Sequence, residues 1–390
     1  MKEDLSIYVH WPFCLSKCPY CDFNSHLSNA VDHNIWLRSY IIELEHFSDI
    51  IKNKYIKSIF FGGGTPSLME PFVVAGIIDK ISELGYIDNK TEITLEANPT
   101  SFEIEKFKNF NLAGVNRISI GVQSLKNDDL KLLGRNHDNK QAIKAIEAAT
   151  LIFPKLSFDL IYARTNQALQ EWKEELQEAM NLASGHISLY QLTIEKGTPF
   201  YKLFRDGNLT IPNQDDAADM YNWTNFYLES KNYSRYEISN YATNGNECIH
   251  NLTYWNYNNY LGIGPGAHSR ITSKDSIEGT STESIMMWHK PEKWLQSIKD
   301  SGQAIQTNNK LSLQETVEEF FMMGLRLENG ISFDSKRFNG RRLFDLIDQK
   351  TAEYYIKLEL LDCSENIIRL TKKGLMLHSY LVPRLIKTQI

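Results

Sequence analysis

Apolar positions in the first half of the chain follow two alternating patterns. Short runs rich in β-branched and aromatic residues are followed by longer stretches in which apolar residues repeat at helical spacing. The short runs predict six strands, at residues 5–10, 56–61, 92–96, 117–122, 156–161 and 186–192. The longer stretches predict helices that include residues 35–51, 72–84, 140–152 and 168–182. This alternation is typical of β/α units built on a parallel sheet.

The alternation fades after residue 192. The pattern there predicts a helix near residues 215–228, a strand at 233–239 and an extension of the sheet at 241–268. From residue 311 it predicts helices at 315–326 and 343–356, a hairpin near 367–370 and a last helix from 373 to about 382, just before Pro383. Helices followed by a small hairpin indicate a winged-helix-like α+β domain.

These elements predict an α/β fold, a partial (β/α)6 barrel of the TIM type with a C-terminal winged-helix-like domain. The 390 residues are too many for one small core. We divide them into a barrel at residues 1–240, an extension of the barrel at 241–310 and a C-terminal domain at 311–390.

Composition narrows the class of protein. Apolar residues make up 42% and charged residues 23% of the chain, which is ordinary for a globular protein. The net charge of −6 and the lack of a long Lys/Arg run predict no nucleic-acid partner. Neither a secretory signal nor an apolar run of membrane-spanning length is seen, so we expect a cytoplasmic protein. Five cysteines, three of them clustered, favour metal or redox chemistry over disulfides.

The clustered cysteines follow the first predicted strand. Cys14, Cys18 and Cys21 lie on one short loop that can wrap a cubane, so that three thiolates bind three irons and the fourth iron stays open. Two alternatives are unrelated buried thiols and a zinc site with His10 or His26 as a fourth ligand. Structural zinc is usually bound by two pairs of closely spaced Cys or His ligands. This segment has only one such pair, a single Cys-x-x-Cys.

Further residues that could bind a ligand lie at the ends of the second, third and fourth predicted strands. The turn at residues 62–66, Gly-Gly-Gly-Thr-Pro, directly follows the second strand, where its backbone can approach a ligand closely. Glu96 ends the third strand and Gln123 follows the fourth. Taken singly, such a turn is a tight connection and such a carboxylate caps a helix. The carboxyl ends of parallel strands share one edge, however, and this favours a ligand site there.

The spacing Cys-x-x-x-Cys-x-x-Cys, placed after the first strand of a β/α chain, resembles the radical S-adenosylmethionine (SAM) superfamily. The residues at the strand ends resemble the oxygen-independent coproporphyrinogen III oxidase family within it. The resemblance implies a [4Fe-4S] cluster on Cys14, Cys18 and Cys21, whose open iron is chelated by SAM. It also implies that SAM is bound by Tyr8, Tyr20, Gly63, Gly64, Thr65, Glu96, Gln123, Arg135 and Asp159.

Two departures separate this chain from the oxidases of that family. Phe23 stands where the oxidases have a further cysteine, and the oxidases carry a substantial segment before the residue that corresponds to Tyr8. Both departures match the HemW branch, which is described as haem chaperones. A third departure is Ala-Arg-Thr-Asn at residues 163–166, where relatives have a turn of the Gly-Leu-Pro-Gly type.

The HemW branch also carries the motif His-Asn-x-x-Tyr-Trp, which stands here as His250, Asn251, Tyr254 and Trp255. The resemblance implies that these four residues bind haem. Imidazole is a common axial ligand of haem iron, and aromatic rings offer flat apolar surface to a porphyrin. Without the resemblance, a histidine among aromatic residues is more often a hydrogen-bonded structural residue. Cys248 is either a second iron ligand or an inert small residue, and we favour the inert residue; we expect Cys363 to be structural.

The resemblance implies three cofactors or ligands, namely the cluster, SAM and haem. The implied partners are a haem-acceptor protein and an electron donor such as a flavodoxin or ferredoxin, with a homodimer and membrane contact through the acceptor left open. Two other functions compete with a haem chaperone. One is oxidative decarboxylation of coproporphyrinogen III, and the other is a binding module whose cluster is only structural. Whether SAM is cleaved also stays open.

Overall fold

The fold is seen in a computed structural model that describes residues 2–28, 30–275 and 279–389. Six parallel strands lie side by side in sequence order. They are β1 (Asp4–Trp11), β2 (Tyr55–Gly63), β3 (Glu92–Ala97), β4 (Arg117–Gln123), β5 (Lys155–Tyr162) and β6 (His186–Gln191). All six strands expected from the sequence are confirmed, and their order is that of a β/α barrel.

Six further strands extend this sheet at both edges. They are β7 (Ser234–Glu237), β8 (Asn240–Ala242), β9 (Tyr260–Ile263), β10 (His268–Asp275), β11 (Gly279–Met287) and β12 (Ile305–Lys310). The order is β12-β11-β10-β9-β1-β2-β3-β4-β5-β6-β8-β7, with β9 parallel to β1 and the outer strands antiparallel. The sheet thus begins at β12 and ends at β7, which confirms a partial barrel. The sequence predicted the extension but not the pairing of β10, β11 and β12.

Helices connect the strands as expected for β/α units. They are α1 (His33–His46), α2 (Ser48–Ile51), α3 (Pro71–Leu84), α4 (Ser101–Leu112), α5 (Asn127–Leu132), α6 (Asn139–Ile152), α7 (Leu169–Met180), α8 (Pro199–Arg205), α9 (Gln214–Ser230), α10 (Ile249–Trp255), α11 (Pro291–Ser301), α12 (Leu313–Gly324), α13 (Leu343–Leu346), α14 (Gln349–Lys357), α15 (Lys372–Leu375) and α16 (His378–Leu385). Their starts follow from local sequence. Asp32 caps α1 by accepting from the backbone N–H of Asn34, and Asp138 forms a capping box with Gln141 at α6.

Burial along β1 explains why the strand is continuous and apolar. Leu5, Ile7, Val9 and Trp11 are fully buried or nearly so, and they belong to a core that also includes the inner faces of α1 and α3. Parallel strands covered by helices on one side and by the barrel interior on the other are expected to be apolar throughout. The core therefore holds the carboxyl ends of the strands, where the candidate site lies, on a rigid frame.

The C-terminal unit has a separate hydrophobic core. Three short antiparallel strands, β13 (Ile331–Ser332), β14 (Leu361–Cys363) and β15 (Ile367–Leu370), form its sheet, with α12 to α16 around it. The hairpin expected near residues 367–370 is confirmed. This core also includes Tyr257, which precedes residue 311, and the boundary near residue 311 stays a prediction.

Three predicted helices differ from the structure. The expected helix at 35–51 is two helices, α1 and α2, and the one at 343–356 is divided at Asp348, whose side chain caps α14 by accepting from the backbone of Thr351. Residues 373–382 fall into α15 and α16, and α16 continues through Pro383. Burial of Leu381, Val382 and Leu385 in the C-terminal core offsets the hydrogen bond lost at that proline. Within the described residues, no helix is both long and apolar enough to cross a membrane.

Candidate functional site

A cavity of about 550 Å³ opens at the carboxyl ends of β1 to β6. It is lined by all of the expected cluster and SAM residues except Tyr8: Cys14, Cys18, Tyr20, Cys21, Gly63, Gly64, Thr65, Glu96, Gln123, Arg135 and Asp159. The edge of the sheet that the sequence indicated is therefore one continuous site, which we call the strand-end cavity.

The cysteine loop is held at the cavity by hydrogen bonds to its sulfur atoms. Thr65 Oγ1 donates to Cys14 Sγ over 3.4 Å, and the guanidinium of Arg135 donates to Cys18 Sγ over 3.3 Å. Burial raises the pKa of Cys14 and Cys21, so these two thiols are protonated in the metal-free protein and must release protons on binding iron. In the described part of the chain, no group of three or more His, Cys, Asp or Glu side chains is already positioned to hold a metal ion.

The glycine turn packs directly against the cysteine loop. Gly63 has φ of +114°, a conformation that disfavours any residue with a Cβ. A Cβ on Gly64 would lie 2.7 Å from the carbonyl oxygen of Phe13, so this position accepts only glycine without a backbone shift. The backbone N–H of Gly63 donates to Glu96 Oε2 over 3.2 Å. The turn therefore joins the cluster loop to the carboxylate at the end of β3.

Two carboxyl groups, those of Glu96 and Asp159, line the cavity and are partly buried. Burial, with a contribution from the nearby Asp159, raises the pKa of Glu96 to about 8. Burial also raises the pKa of Asp159 to about 6, opposed by the hydroxyls of Ser188 and Ser119 and by Arg135. Two such groups favour a cationic ligand, because a buried positive charge restores the ionised carboxylates that burial disfavours. An ammonium or a sulfonium group would supply such a positive charge beside Glu96 and Asp159.

Arg135 supplies the opposite charge. Its guanidinium donates to Asn98 Oδ1 over 2.5 Å and to the carbonyl of Gly121 over 2.7 Å, in addition to Cys18. Among the described residues, its buried Nε has no hydrogen-bond partner. A buried donor without a partner is costly, so this atom favours an anionic group in the cavity. Asn98 also donates to Thr65, a bridging role that the sequence analysis missed although Asn98 stands two residues after Glu96.

Gln123 reaches the cavity through an irregular strand end. It has φ of +70°, and the register between β4 and β5 shifts between Ile120 and Gln123. A non-glycine residue in the left-handed region stores strain that recurs at functional sites. The shift directs the end of β4 towards the cavity.

Tyr8 does not line the strand-end cavity, and its expected contact with SAM stays a prediction. Its hydroxyl is bonded to His10 Nδ1 over 2.9 Å, and its ring stacks on Phe60 and His250 inside the barrel. Tyr8 therefore supports the site from within.

The haem motif is on α10, at the opposite end of the barrel. His250 is only 1% exposed, with Nδ1 bonded to Ser58 Oγ over 2.8 Å and Nε2 to the Tyr254 hydroxyl over 2.9 Å. Burial lowers its pKa to about 3, so the ring is neutral. Since both ring nitrogens are engaged, iron coordination would require one of these bonds to break. In this conformation His250 is a buried, hydrogen-bonded residue, and its expected role as a ligand of haem iron stays a prediction.

The other motif residues also attach α10 to its surroundings. Asn251 donates to the Tyr236 hydroxyl over 3.3 Å, and the guanidinium of Arg326 lies 4.5 Å from the ring centre of Trp255. The rings of Tyr254 and Tyr260 pack edge to face, with ring centres 4.5 Å apart. The motif residues thus connect α10 to the barrel strands and to the C-terminal domain.

The remaining cysteines lie away from the strand-end cavity. Cys248 is buried beside Glu92, with 3.5 Å between Sγ and Oε1, and its pKa is raised to about 12, first by burial and then by Glu92. Cys363 lies on β14 in the C-terminal unit. Neither cysteine lines the strand-end cavity.

Comparison with known proteins agrees with this geometry. Residues 8–179 match the model of the radical SAM superfamily, and residues 311–377 match the HemN C-terminal domain. The fold is similar to that of coproporphyrinogen III oxidase (HemN) from Escherichia coli, with a TM-score of 0.80 and 20% identity over 98% of this chain and 90% of that one. At this identity the likeness concerns the fold alone.

Sequence relatives give a more specific result. The heme chaperone HemW of Escherichia coli (strain K12) is 36% identical over 83% of this chain and 82% of its own. HemW of Buchnera aphidicola subsp. Acyrthosiphon pisum is 33% identical over 95% of both chains. The mitochondrial radical S-adenosyl methionine domain-containing protein 1 of Danio rerio is 36% identical over 84% of this chain and 74% of its own. The chain therefore belongs to the HemW family of radical SAM proteins, a membership that implies a [4Fe-4S] cluster and SAM.

Proposed function

We propose that this protein is a haem chaperone that carries a radical SAM centre and delivers haem to an acceptor protein. The observation that carries this proposal is the similarity to proteins named HemW, at 33–40% identity over most of the chain. Phe23 adds support, because it occupies the position of the further cysteine found in the oxidases. Phe23 lines the strand-end cavity and is 62% exposed.

The strand-end cavity fits the cofactors that the family implies. Cys14, Cys18 and Cys21 would hold the cluster, which needs three thiolates from one loop. Glu96, which already accepts from Gly63, would bind the amino group of SAM, and the unpartnered Nε of Arg135 suits its carboxylate. When bound, the cluster and SAM supply one-electron chemistry. The protein residues orient the two ends of SAM and exclude water.

The partners follow from the same proposal. Haem is the cargo, an acceptor protein receives it, and a one-electron carrier such as a flavodoxin or ferredoxin reduces the cluster. The competing function is decarboxylation of coproporphyrinogen III, which the similarity in fold to HemN leaves as the alternative to test.

One experiment separates the functions. The full chain is reconstituted anaerobically with iron and sulfide and titrated with hemin, with and without SAM, while the Soret absorption is recorded. A haem chaperone is expected to bind hemin stoichiometrically and to pass it to an excess of apo-myoglobin. A second sample receives coproporphyrinogen III, SAM and a reductant. Formation of protoporphyrinogen IX there would establish the oxidase instead, and absence of hemin binding would refute the chaperone.

A further inference from the structure

Asn98 lies directly after β3 and connects the two residues that hydrogen-bond the cysteine sulfur atoms. Its Nδ2 donates to Thr65 Oγ1 over 3.1 Å, and its Oδ1 accepts from the guanidinium of Arg135 over 2.5 Å. Thr65 in turn donates to Cys14 Sγ, and Arg135 donates to Cys18 Sγ. One side-chain amide therefore connects the donors of two thiols on the cysteine loop.

These contacts determine the orientation of the Asn98 amide. A guanidinium only donates hydrogen bonds, so the atom of Asn98 that faces Arg135 must be the oxygen, and the NH2 group then faces Thr65. The backbone N–H of Asn98 also donates to the buried carboxyl group of Glu103 over 2.7 Å. Asn98 is therefore fixed both in its position and in the direction of its hydrogen bonds.

The direction of the amide decides which hydrogen bond the Thr65 hydroxyl makes. A hydroxyl has one proton to donate. Since the oxygen of Thr65 already accepts from Asn98, its proton is directed to Cys14 Sγ, which lies 3.4 Å away. Thr65 is only 5% exposed, which limits competition from water for that proton. The amide of Asn98 thus directs a hydrogen bond onto one of the thiols that the cluster requires.

Hydrogen bonds to sulfur help to set the reduction potential of an iron–sulfur cluster. Reduction adds one negative charge, part of which lies on the thiolate sulfur atoms, and a donor to sulfur stabilises this charge. A carboxylate in place of the Asn98 amide would have the opposite effect, because it adds negative charge and accepts the Thr65 proton that otherwise points at sulfur. The potential in turn decides how readily a one-electron carrier reduces the cluster.

We propose that Asn98 is a positioning residue that raises the reduction potential of the [4Fe-4S] cluster by directing the Thr65 hydroxyl onto Cys14. Asn98 acts through Thr65, and its contact with Arg135 holds the amide in the orientation that this requires. The inference depends on the cluster that family membership implies and not on haem. It therefore goes beyond the proposed chaperone function and does not depend on the outcome of a hemin titration.

A redox titration of the reconstituted full chain tests this role. Asn98→Asp keeps the size and shape of the side chain but cannot donate to Thr65. The fraction of reduced cluster is followed by electron paramagnetic resonance under anaerobic conditions, without SAM, and is normalised to the measured iron and sulfide. At a fixed potential we expect the ratio of reduced to oxidised cluster to fall about tenfold, which is a shift of about 59 mV to lower potential for one electron.

Two further variants separate the hydrogen bond from the added charge. Thr65→Val removes the donor without adding charge, and we expect it also to lower the potential. In the Thr65→Val background, Asn98→Asp should have a smaller effect than in the unaltered protein, because the hydrogen bond that it redirects is already absent. The matched control is Asn136→Asp, which adds the same charge at an exposed position that also lines the strand-end cavity. It should leave the potential nearly unchanged, because water and salt screen an exposed charge.

Three results would overturn the inference. The first is an unchanged potential in Asn98→Asp, and the second is an unchanged potential in Thr65→Val. The third is a shift in Asn136→Asp as large as that in Asn98→Asp, because charge alone would then account for the effect. If Asn98→Asp assembles no cluster, Thr65→Val decides, since a lowered potential there supports the directed hydrogen bond and an unchanged one refutes it.

Discussion

The hydroxyl of Tyr8 donates a hydrogen bond to Nδ1 of His10, two residues along the same strand, over 2.9 Å. The other ring nitrogen of His10 donates to the carbonyl of Asn24, in the segment that follows the cysteines, over 2.9 Å. Burial lowers the pKa of His10 to about 4, so the ring is neutral and can accept at one nitrogen while donating at the other. These two hydrogen bonds connect the segment after the cysteines to β1 inside the barrel, and so restrain the cysteine loop.

Replacing Tyr8 by Phe should loosen that loop without unfolding the barrel. Nδ1 of His10 would lose its buried partner, which costs about 1–3 kcal/mol. We expect a lower free energy of unfolding and faster loss of iron to a chelator from the reconstituted protein. The matched control is Tyr354→Phe, an exposed tyrosine on α14, which should change neither. Iron loss at the unaltered rate in Tyr8→Phe would contradict the role given to this pair.

The raised pKa of Glu96, about 8, predicts a proton release when SAM binds. At pH 7 the carboxyl group is mostly protonated in the free protein, and a bound ammonium favours its ionised form. Calorimetry at pH 7 in two buffers of different ionisation enthalpy should detect this proton. Glu96→Gln should abolish the release and weaken SAM binding by about 1.5–3 kcal/mol. Unchanged proton release in Glu96→Gln would assign the proton to another group.

The strand-end cavity could be predicted from sequence because its residues obey a local rule. Each of Cys14, Gly63 and Glu96 stands at or just after the end of a strand, and strand ends of a parallel sheet converge whatever the details of packing. The departure at residues 163–166 also has a physical account. Ala163 and Asn166 adopt positive φ where relatives have glycine, while Arg164 is buried between neighbouring helices.

Contacts between distant segments could not be predicted in this way. Asn24 donates to the carbonyls of Pro265 and His289, far along the chain, and the barrel-end position of α10 depends on Ser58 and Glu92 meeting residues 249 and 250. A single sequence carries no pattern for such pairs. The motif at residues 250–255 was therefore recognisable, but its burial was not.

Replacement of single cysteines should separate cluster ligands from inert thiols. Cys18→Ala is expected to lose most iron and sulfide after reconstitution, because its thiolate lies on the cluster loop beside Arg135. Cys363→Ala, on β14, should retain full cluster content and serves as the matched control. Full cluster occupancy in Cys18→Ala, or its loss in Cys363→Ala, would show that the ligand set is wrong.

Arg164 is expected to be essential for stability. Its buried guanidinium bonds Glu175 over 2.5 Å and Asp129 over 2.7 Å, joining α7 to α5. Removing one partner of a buried ion pair costs about 3–5 kcal/mol, because the other charge stays buried. Denaturant unfolding of Arg164→Met should show a loss of this size. Arg205→Met, which breaks the exposed pair with Asp206, should cost at most about 1 kcal/mol.

His250 should make the protein less stable in acid. Its pKa is about 3 in the folded chain, against about 6.5 when unfolded, so between these values the unfolded state binds one proton more than the folded state. Stability therefore rises with pH across this window and is lost as pH falls below about 6.5. Buried carboxyl groups with raised pKa values, such as Glu43 and Glu96, act in the opposite direction, so the total slope does not isolate one residue.

A comparison with His250→Gln isolates the contribution of His250 to the dependence of stability on pH. Glutamine can still hydrogen-bond Ser58 or Tyr254 but does not titrate, so its stability should fall less steeply with acid than that of the unaltered protein. The difference in slope is expected to reach about 1.4 kcal/mol per pH unit between pH 6 and pH 4. Denaturant unfolding at several pH values measures it, with the exposed His46→Gln on α1 as control. Equal slopes in the unaltered protein and His250→Gln would mean that the pKa of His250 is not lowered in the folded chain.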